Sequence, residues 1–326
     1  MDHNIPSNIT PSDIIPSDII PSNITPSDIT PSDITPSDIT IYLTTCDKTS
    51  YILPATIYLY KKFINTLIPH FKILGFTKPI LPDWENVEFI SLSAEPQDIS
   101  KWSLYLHDYF YTINDDLIFL ALDDFFPIDY INKKAYDYVI NYMTINKNVG
   151  FCVVDQSPEA SIERNELNKI IIETDDYFIY ERKKHVNYQL VLQPGIWNRT
   201  YLCKMLSIKS TPWTFELNNT IVANNDTSFY NIASSKNLNY KKCIMCYCGH
   251  SALSSKWNGI SVIGLKHEYI VELIKNKLIH TNNLLIGAWD MFVRFNINNV
   301  LSKSNFIEMC NKYKMYHWIQ LYSDYY

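Results

Sequence analysis

The chain has 326 residues, 47% of them hydrophobic and 19% charged, a balance that builds a packed core and excludes wholesale disorder. Its seven glycines are widely scattered, which excludes a Gly-rich phosphate cradle of the Walker or dinucleotide type. Residues 1–40 hold six aspartates and no Lys, Arg or Glu, so they carry the whole net charge of −6. The neutral remainder argues against nucleic acid and anionic lipid as partners.

In chain order, residues 6–40 are seven copies of Pro-Ser-[Asp/Asn]-Ile-[Thr/Ile]. A proline every fifth residue removes backbone donors and blocks helix and inner-strand pairing. The repeat reads as an extended, disordered, acidic tail. Rephased as Ser-Asp-Ile-Thr-Pro it resembles a pentapeptide-repeat β-helix, but seven pentads fall short of two coils. Folded sequence is expected from Ile41, with a strand over 41–45 and a helix over 52–67 that tolerates Pro54 in its first turn. Strands are expected at 71–76 and 87–92, then a helix capped by Asp98. Leu117 to Leu122 is apolar at every position, the pattern of an interior parallel strand buried on both faces. A helix over 132–145 and a strand over 149–154 continue the alternation that defines an α/β fold. Further strands are expected at 177–181, 188–192, 242–247 and 260–263. Helices are expected at 197–206, 211–222, 267–280 and 284–301.

No apolar run reaches the ~18 residues that span a bilayer, and the first residues, lacking a basic region and an uninterrupted apolar one, are not expected to act as a secretory signal. Seven cysteines, an odd number, point to reduced thiols and a cytoplasmic setting.

Two carboxylates, Asp123 and Asp124, directly follow the most apolar strand. In open α/β sheets the ligand crevice lies at the carboxyl ends of the strands. Adjacent carboxylates there repel unless a cation or a proton separates them, and hard oxygen donors suit Mn²⁺ or Mg²⁺. A turn with a helix cap is the structural alternative. The similar pair Asp175-Asp176 sits among charged residues and reads as a solvated loop. Cys243-x2-Cys246-x-Cys248-x-His250 invites a zinc reading, but it holds one Cys-x-x-Cys and lacks separated ligand pairs, so buried strand cysteines are the preferred reading. Trp197, Trp213 and Trp257 are of the type that stacks on sugar rings, and equally of the type that fills cores.

A strand followed by Thr45-Cys46-Asp47, a helix with Trp102-Ser103, and an apolar strand ending in Asp123-Asp124-Phe125-Phe126 stand in that order. Leu192-Gln193-Pro194-Gly195-Ile196-Trp197 and Pro212-Trp213-Thr214-Phe215-Glu216 follow. This order resembles metal-dependent GT-A-fold glycosyltransferases, especially those proposed for giant viruses and bacterial surface-polysaccharide loci. The family often shows Asp-x-Asp where this chain has Asp-Asp-Phe. The resemblance implies a GT-A-like, Rossmann-like mixed sheet flanked by helices, with a repeat tail over 1–40, a catalytic domain over 41–265 and a helical extension over 266–326. It implies a UDP- or GDP-linked sugar donor with its nucleotide near Thr45, Cys46, Asp47 and Trp102. It also implies Mn²⁺ or Mg²⁺ at Asp123 and Asp124, and a glycan acceptor near Trp197 and Trp213. Glu216 is the candidate base of an inverting transfer, its alternative being a helix-start carboxylate. The location implied is the cytoplasm, a host's if the source is viral. A non-catalytic carbohydrate-binding or structural protein is the competing expectation. A phosphohydrolase using Asp123 as nucleophile lacks the usual Asp-x-Asp-x-[Thr/Val] pattern.

Overall fold

The computed structural model describes residues 39–94, 98–156, 167–235, 243–247, 253–254, 259–261, 265, 267–278, 284–285, 307 and 311. The repeat tail, Cys248, His250, Trp257 and most of the helix expected over 284–301 lie outside the described residues.

The strands are β1 (Ile39–Thr44), β2 (Pro69–Gly75), β3 (Val87–Ser91), β4 (Leu117–Leu122), β5 (Val149–Gln156) and β6 (Leu167–Glu173). They continue as β7 (Phe178–Arg182), β8 (Gly195–Asn198), β9 (Tyr230–Ser235), β10 (Leu253–Ser254), β11 (Gly259–Ser261) and β12 (Leu284–Leu285). The helices are α1 (Leu53–Phe63), α2 (Trp102–Thr112), α3 (Lys133–Ile145), α4 (Arg199–Leu206), α5 (Pro212–Asn225) and α6 (His267–Lys275).

The class is α/β, a nine-stranded mixed sheet flanked by helices, as expected. Its order is β3-β2-β1-β4-β8-β5-β9-β7-β6, beside a small β10-β11-β12 sheet. β3, β2, β1 and β4 run parallel. β8 is wedged antiparallel between β4 and β5, and β9 is parallel to β5. β4 is therefore interior, as its apolar run predicts, but parallel to its neighbour on one side only.

Side chains alternate across a strand with period two, and the core divides accordingly. Ile41, Leu43, Phe119 and Ala121 join one apolar cluster with α1 and α3. Tyr42, Ile118 and Leu120 join the other with α2, α4 and α5. Helix starts follow the local chemistry. Asn132 accepts from the Ala135 amide to open α3, and Asn198 does the same for α4 from Tyr201. Thr211 and Thr214 form a reciprocal capping box with Pro212 at the start of α5. α6 docks on α1 through a 2.6 Å Lys62–Glu272 ion pair and the edge of Tyr269 against Phe63.

Several expectations are corrected. β1 begins at Ile39, not Ile41, and is buried from its first residue. Residues 188–192 are a loop rather than a strand, because side chains satisfy its backbone. The Leu190 and Leu192 amides donate to Thr220 Oγ1 and Glu216 Oε1, and Arg182 caps the carbonyls of Tyr188 and Gln189. The helix expected from Trp197 is instead strand β8 followed by α4. The 243–247 segment is irregular, with one bridge between Tyr247 and Pro127. Leu284 and Leu285 form a strand where a helix was expected. Among the described residues no helix is long and apolar enough to cross a membrane.

Candidate functional site

The sheet's topology singles out one strand-end position. From β1 the chain moves outward to β2 and β3, then returns to place β4 on the opposite side of β1. β1 and β4 pair through Leu43 with Ala121 and Thr44 with Leu122, so their carboxyl ends lie together. Ligands of open α/β sheets bind at the strands' carboxyl ends where the strand order reverses in this way.

Asp123 sits at that point and is 6% exposed. Its amide donates to the Thr44 carbonyl at 3.0 Å, prolonging the strand pairing by one residue. Its carboxylate Oδ2 accepts from Thr45 Oγ1 at 2.5 Å and from Thr49 Oγ1 at 2.7 Å. Its carbonyl accepts from Thr56 Oγ1, inside α1, at 2.6 Å. Burial pushes the carboxyl up from 3.8 to about 6, and the Thr45 and Thr49 hydroxyls pull partly against that rise. A carboxylate oxygen pair offers about four lone-pair sites, of which these hydroxyls occupy two on one oxygen. Asp124, half-buried, follows directly.

The loop after β1 is wound to present those hydroxyls. The Thr49 and Ser50 amides both donate to the Cys46 carbonyl, at 3.0 and 2.9 Å, and Cys46 Sγ lies 3.2 Å from Thr49 Oγ1. Asp47 points outward and accepts from the Thr77 amide and hydroxyl, at 3.0 and 2.8 Å, which latches this loop to the one after β2. Thr45 and Cys46 are thus brought to Asp123, while Asp47 acts on the rim. Sequence reasoning missed Thr49, Thr56 and Tyr51. Tyr51 is half-exposed, and its phenol is raised first by burial and then by the Asp123 charge. The missed signal was local: Thr49 lies four residues after Thr45, one turn of a tight loop.

The second half contributes at the same edge. β8 runs antiparallel, so its first residue, Gly195, lies opposite Leu120 and Val153 near the carboxyl ends of β4 and β5. A Cβ on Gly195 would stand 2.2 Å from the Phe151 ring and 2.9 Å from the Cys152 carbonyl, so only glycine fits there. The loop before it is held by Glu216, whose Oε1 accepts from the Leu192 amide at 2.6 Å. Burial raises the Glu216 carboxyl above its usual range, and the Leu192 amide opposes that rise. Trp213 lies three residues earlier on α5 and is 73% exposed.

The other two tryptophans lie elsewhere. Trp197 is wholly buried, stacked on Phe151 at 3.9 Å and near Tyr201. Trp102 is buried against the edge of Phe215 at 5.6 Å. Both rings belong to the apolar cluster under α2, α4 and α5. Asp175 and Asp176 are exposed in the β6–β7 turn, where Asp176 pairs with Lys134 at 3.0 Å. A cavity of about 240 Å³ lies under α3, lined by Thr40, Asp115, Leu117 and Tyr136. It opens near the amino end of β4, away from Asp123.

The class defined by this architecture is an α/β protein with a buried, hydroxyl-clamped carboxylate at a sheet reversal. No protein-family model matches the chain, and no curated protein matches it. Among solved structures, a CMP:2-keto-3-deoxy-manno-octonic acid synthetase complexed with CTP aligns over 61% of this chain and 90% of its own. The identity is 11% and the TM-score 0.36. A mycobacterial protein aligns over 61% of this chain and 65% of its own, at 8% identity and a TM-score of 0.32. Likeness at this level says nothing of substrate or reaction.

Proposed function

We propose that the chain is a nucleotide-sugar-dependent glycosyltransferase that passes a sugar to a glycan acceptor. One observation carries the reading. Thr45 and Thr49, from the loop after β1, clamp the buried carboxylate of Asp123 where the sheet reverses. A carboxylate kept in so costly a position, beside a second one, is the arrangement expected of a functional group rather than of a turn.

Asp123 and Asp124 would hold Mn²⁺ or Mg²⁺, since their oxygens are hard donors and Asp123 is already oriented. When bound by these carboxylates, such an ion would supply positive charge to offset that of a diphosphate leaving group. The loop of Thr45, Cys46 and Asp47 borders the nucleotide, with Trp102 supporting α2 from within the core. Glu216 accepts the proton of the acceptor hydroxyl as that oxygen attacks the anomeric carbon and the bond to the diphosphate breaks. Burial raises its affinity for protons, the direction a general base needs. Trp213 offers an open ring face to the acceptor. Trp197 contributes by packing beneath β8.

The test is thermal stabilisation of the full chain by UDP, GDP and CDP with and without Mn²⁺, followed by a panel of nucleotide sugars scored for hydrolysis. Metal-dependent stabilisation by one nucleotide supports the reading. No stabilisation by any nucleotide in Mn²⁺ or Mg²⁺, with no hydrolysis, removes it.

A further inference from the structure

A second cluster of ligand atoms lies at the carboxyl end of β5. Asp155 ends the buried part of that strand. Cys243 Sγ donates to its Oδ1 at 3.4 Å, and Cys246 Sγ lies 3.3 Å from Cys243 Sγ. One ligand atom from each of Asp155, Cys243 and Cys246 lies within 4.8 Å of the other two. The opposite carboxylate oxygen, Oδ2, accepts from the Tyr247 amide at 3.0 Å, which fixes the carboxyl group's orientation. Both cysteines are buried and neither is in a disulfide.

Two of the three separations approach those of a tetrahedral metal site, and the third, between Cys246 Sγ and the carboxylate, is within 4.8 Å. Tetrahedral zinc with Zn–S near 2.3 Å and Zn–O near 2.0 Å requires sulfurs about 3.8 Å apart and sulfur–oxygen separations of about 3.5 Å. The observed 3.3 and 3.4 Å lie within a few tenths of an ångström to half an ångström of those values. A disulfide instead requires the sulfurs to close to about 2.05 Å. Thiolate donors select zinc over the hard cations that suit paired carboxylates. In a buried pocket the two cysteines stay neutral thiols, and a divalent cation bound there would displace their protons and offset the charge of the thiolates and the carboxylate.

We propose that Asp155, Cys243 and Cys246 bind a zinc ion that staples the 243–247 segment to the end of β5. The consequence reaches the Asp123 loop through the backbone. The Cys246 carbonyl accepts from the Ile128 amide at 2.9 Å, and the Ile244 carbonyl accepts from the Asn132 amide at 2.8 Å. Tyr247 bridges to Pro127. Zinc thus fixes the strip against which residues 127–132, directly after Asp123-Asp124-Phe125-Phe126, are held. Among the described residues, three side chains supply three of the four positions of a tetrahedral site. The proposal stands independently of any sugar chemistry at Asp123.

The experiment uses the full chain, reduced and purified without chelator. Zinc is measured by plasma mass spectrometry, then replaced by cobalt under absorption spectroscopy. The expected result is about one zinc per chain and thiolate-to-cobalt charge-transfer absorption saturating at one equivalent. Both are lost in Cys243→Ser and Cys246→Ser. Asp155→Asn retains the absorption but yields cobalt to a chelator at lower chelator concentration, and Asp123→Asn keeps its zinc. Should the serine variants fail to fold, the titration of the unmodified chain decides alone. No thiolate absorption in the reduced protein, absorption that survives the double serine substitution, or a Cys243–Cys246 disulfide in freshly isolated protein overturns the proposal.

Discussion

Asp123→Asn is expected to make the metal-free protein more stable at pH 7.5 and to abolish its stabilisation by Mn²⁺. Burial lifts the Asp123 carboxyl from 3.8 to about 6. A tenfold change in proton affinity corresponds to about 1.4 kcal/mol, so holding the group ionised costs on the order of 3 kcal/mol. The sign follows from proton linkage. Between the unfolded value and about 6 the native state binds the extra proton, so stability is greatest below the unfolded value and declines as pH rises through about 6. Asparagine has nearly the same shape, and its carbonyl still accepts from Thr45 and Thr49, but it carries no charge to desolvate. Part of the gain is lost because its amide hydrogens need partners, leaving roughly 1–3 kcal/mol. Urea unfolding of both proteins from pH 4 to 8, with chelator present, measures the difference. It should be small at pH 4, grow towards pH 6 and then level off. Mn²⁺ at a hundred times its dissociation constant should restore the native protein by about 2.7 kcal/mol and leave the variant unchanged. Parallel pH profiles for the two proteins, or a variant less stable throughout, would refute burial as the cause of the raised proton affinity. The view that stability is sacrificed at this site for function would fall with it.

Gly195→Ala should destabilise the protein by about 1–3 kcal/mol or more in chemical denaturation, because the Cys152 carbonyl cannot move without breaking the β5–β8 pairing. Glu216→Gln keeps an oxygen to accept from Leu192, so it should fold normally and bind donor while slowing transfer by about 10²–10⁴ in single-turnover assays. Near-normal transfer would remove Glu216 from the mechanism. Trp213→Ala should change stability by less than about 0.5 kcal/mol yet weaken use of acceptor. Trp197→Ala, which opens a cavity beside Phe151, should cost about 3–5 kcal/mol by the same denaturation measurement.

The alternation of strands and helices is legible in the residues alone, because local apolar periodicity and caps decide where an element forms. Leu117–Leu122 reads as an interior strand since nothing polar interrupts it, and Asn132 and Thr211 stand at the starts of expected helices, where an oxygen acceptor is required, whereas Asn198 caps α4 inside a span read as helix from Trp197. The same logic puts Asp123 at a strand end. Where non-local partners meet is a matter of the folded chain. Tyr188–Leu192 has the composition of a strand, yet its amides are taken by Thr220 and Glu216, some 24 to 30 residues later, and it stays a loop. Trp102, Trp197 and Trp213 look alike as residue types, and their exposures separate only once α2, α4 and α5 cover one face of the sheet. The clamp of Thr45 and Thr49 on Asp123 joins positions 78 and 74 residues apart. Asp155 meets Cys243 and Cys246 across 88 residues and more. Local patterning carries no information on such separations, because sheet order and the packing of both faces set them.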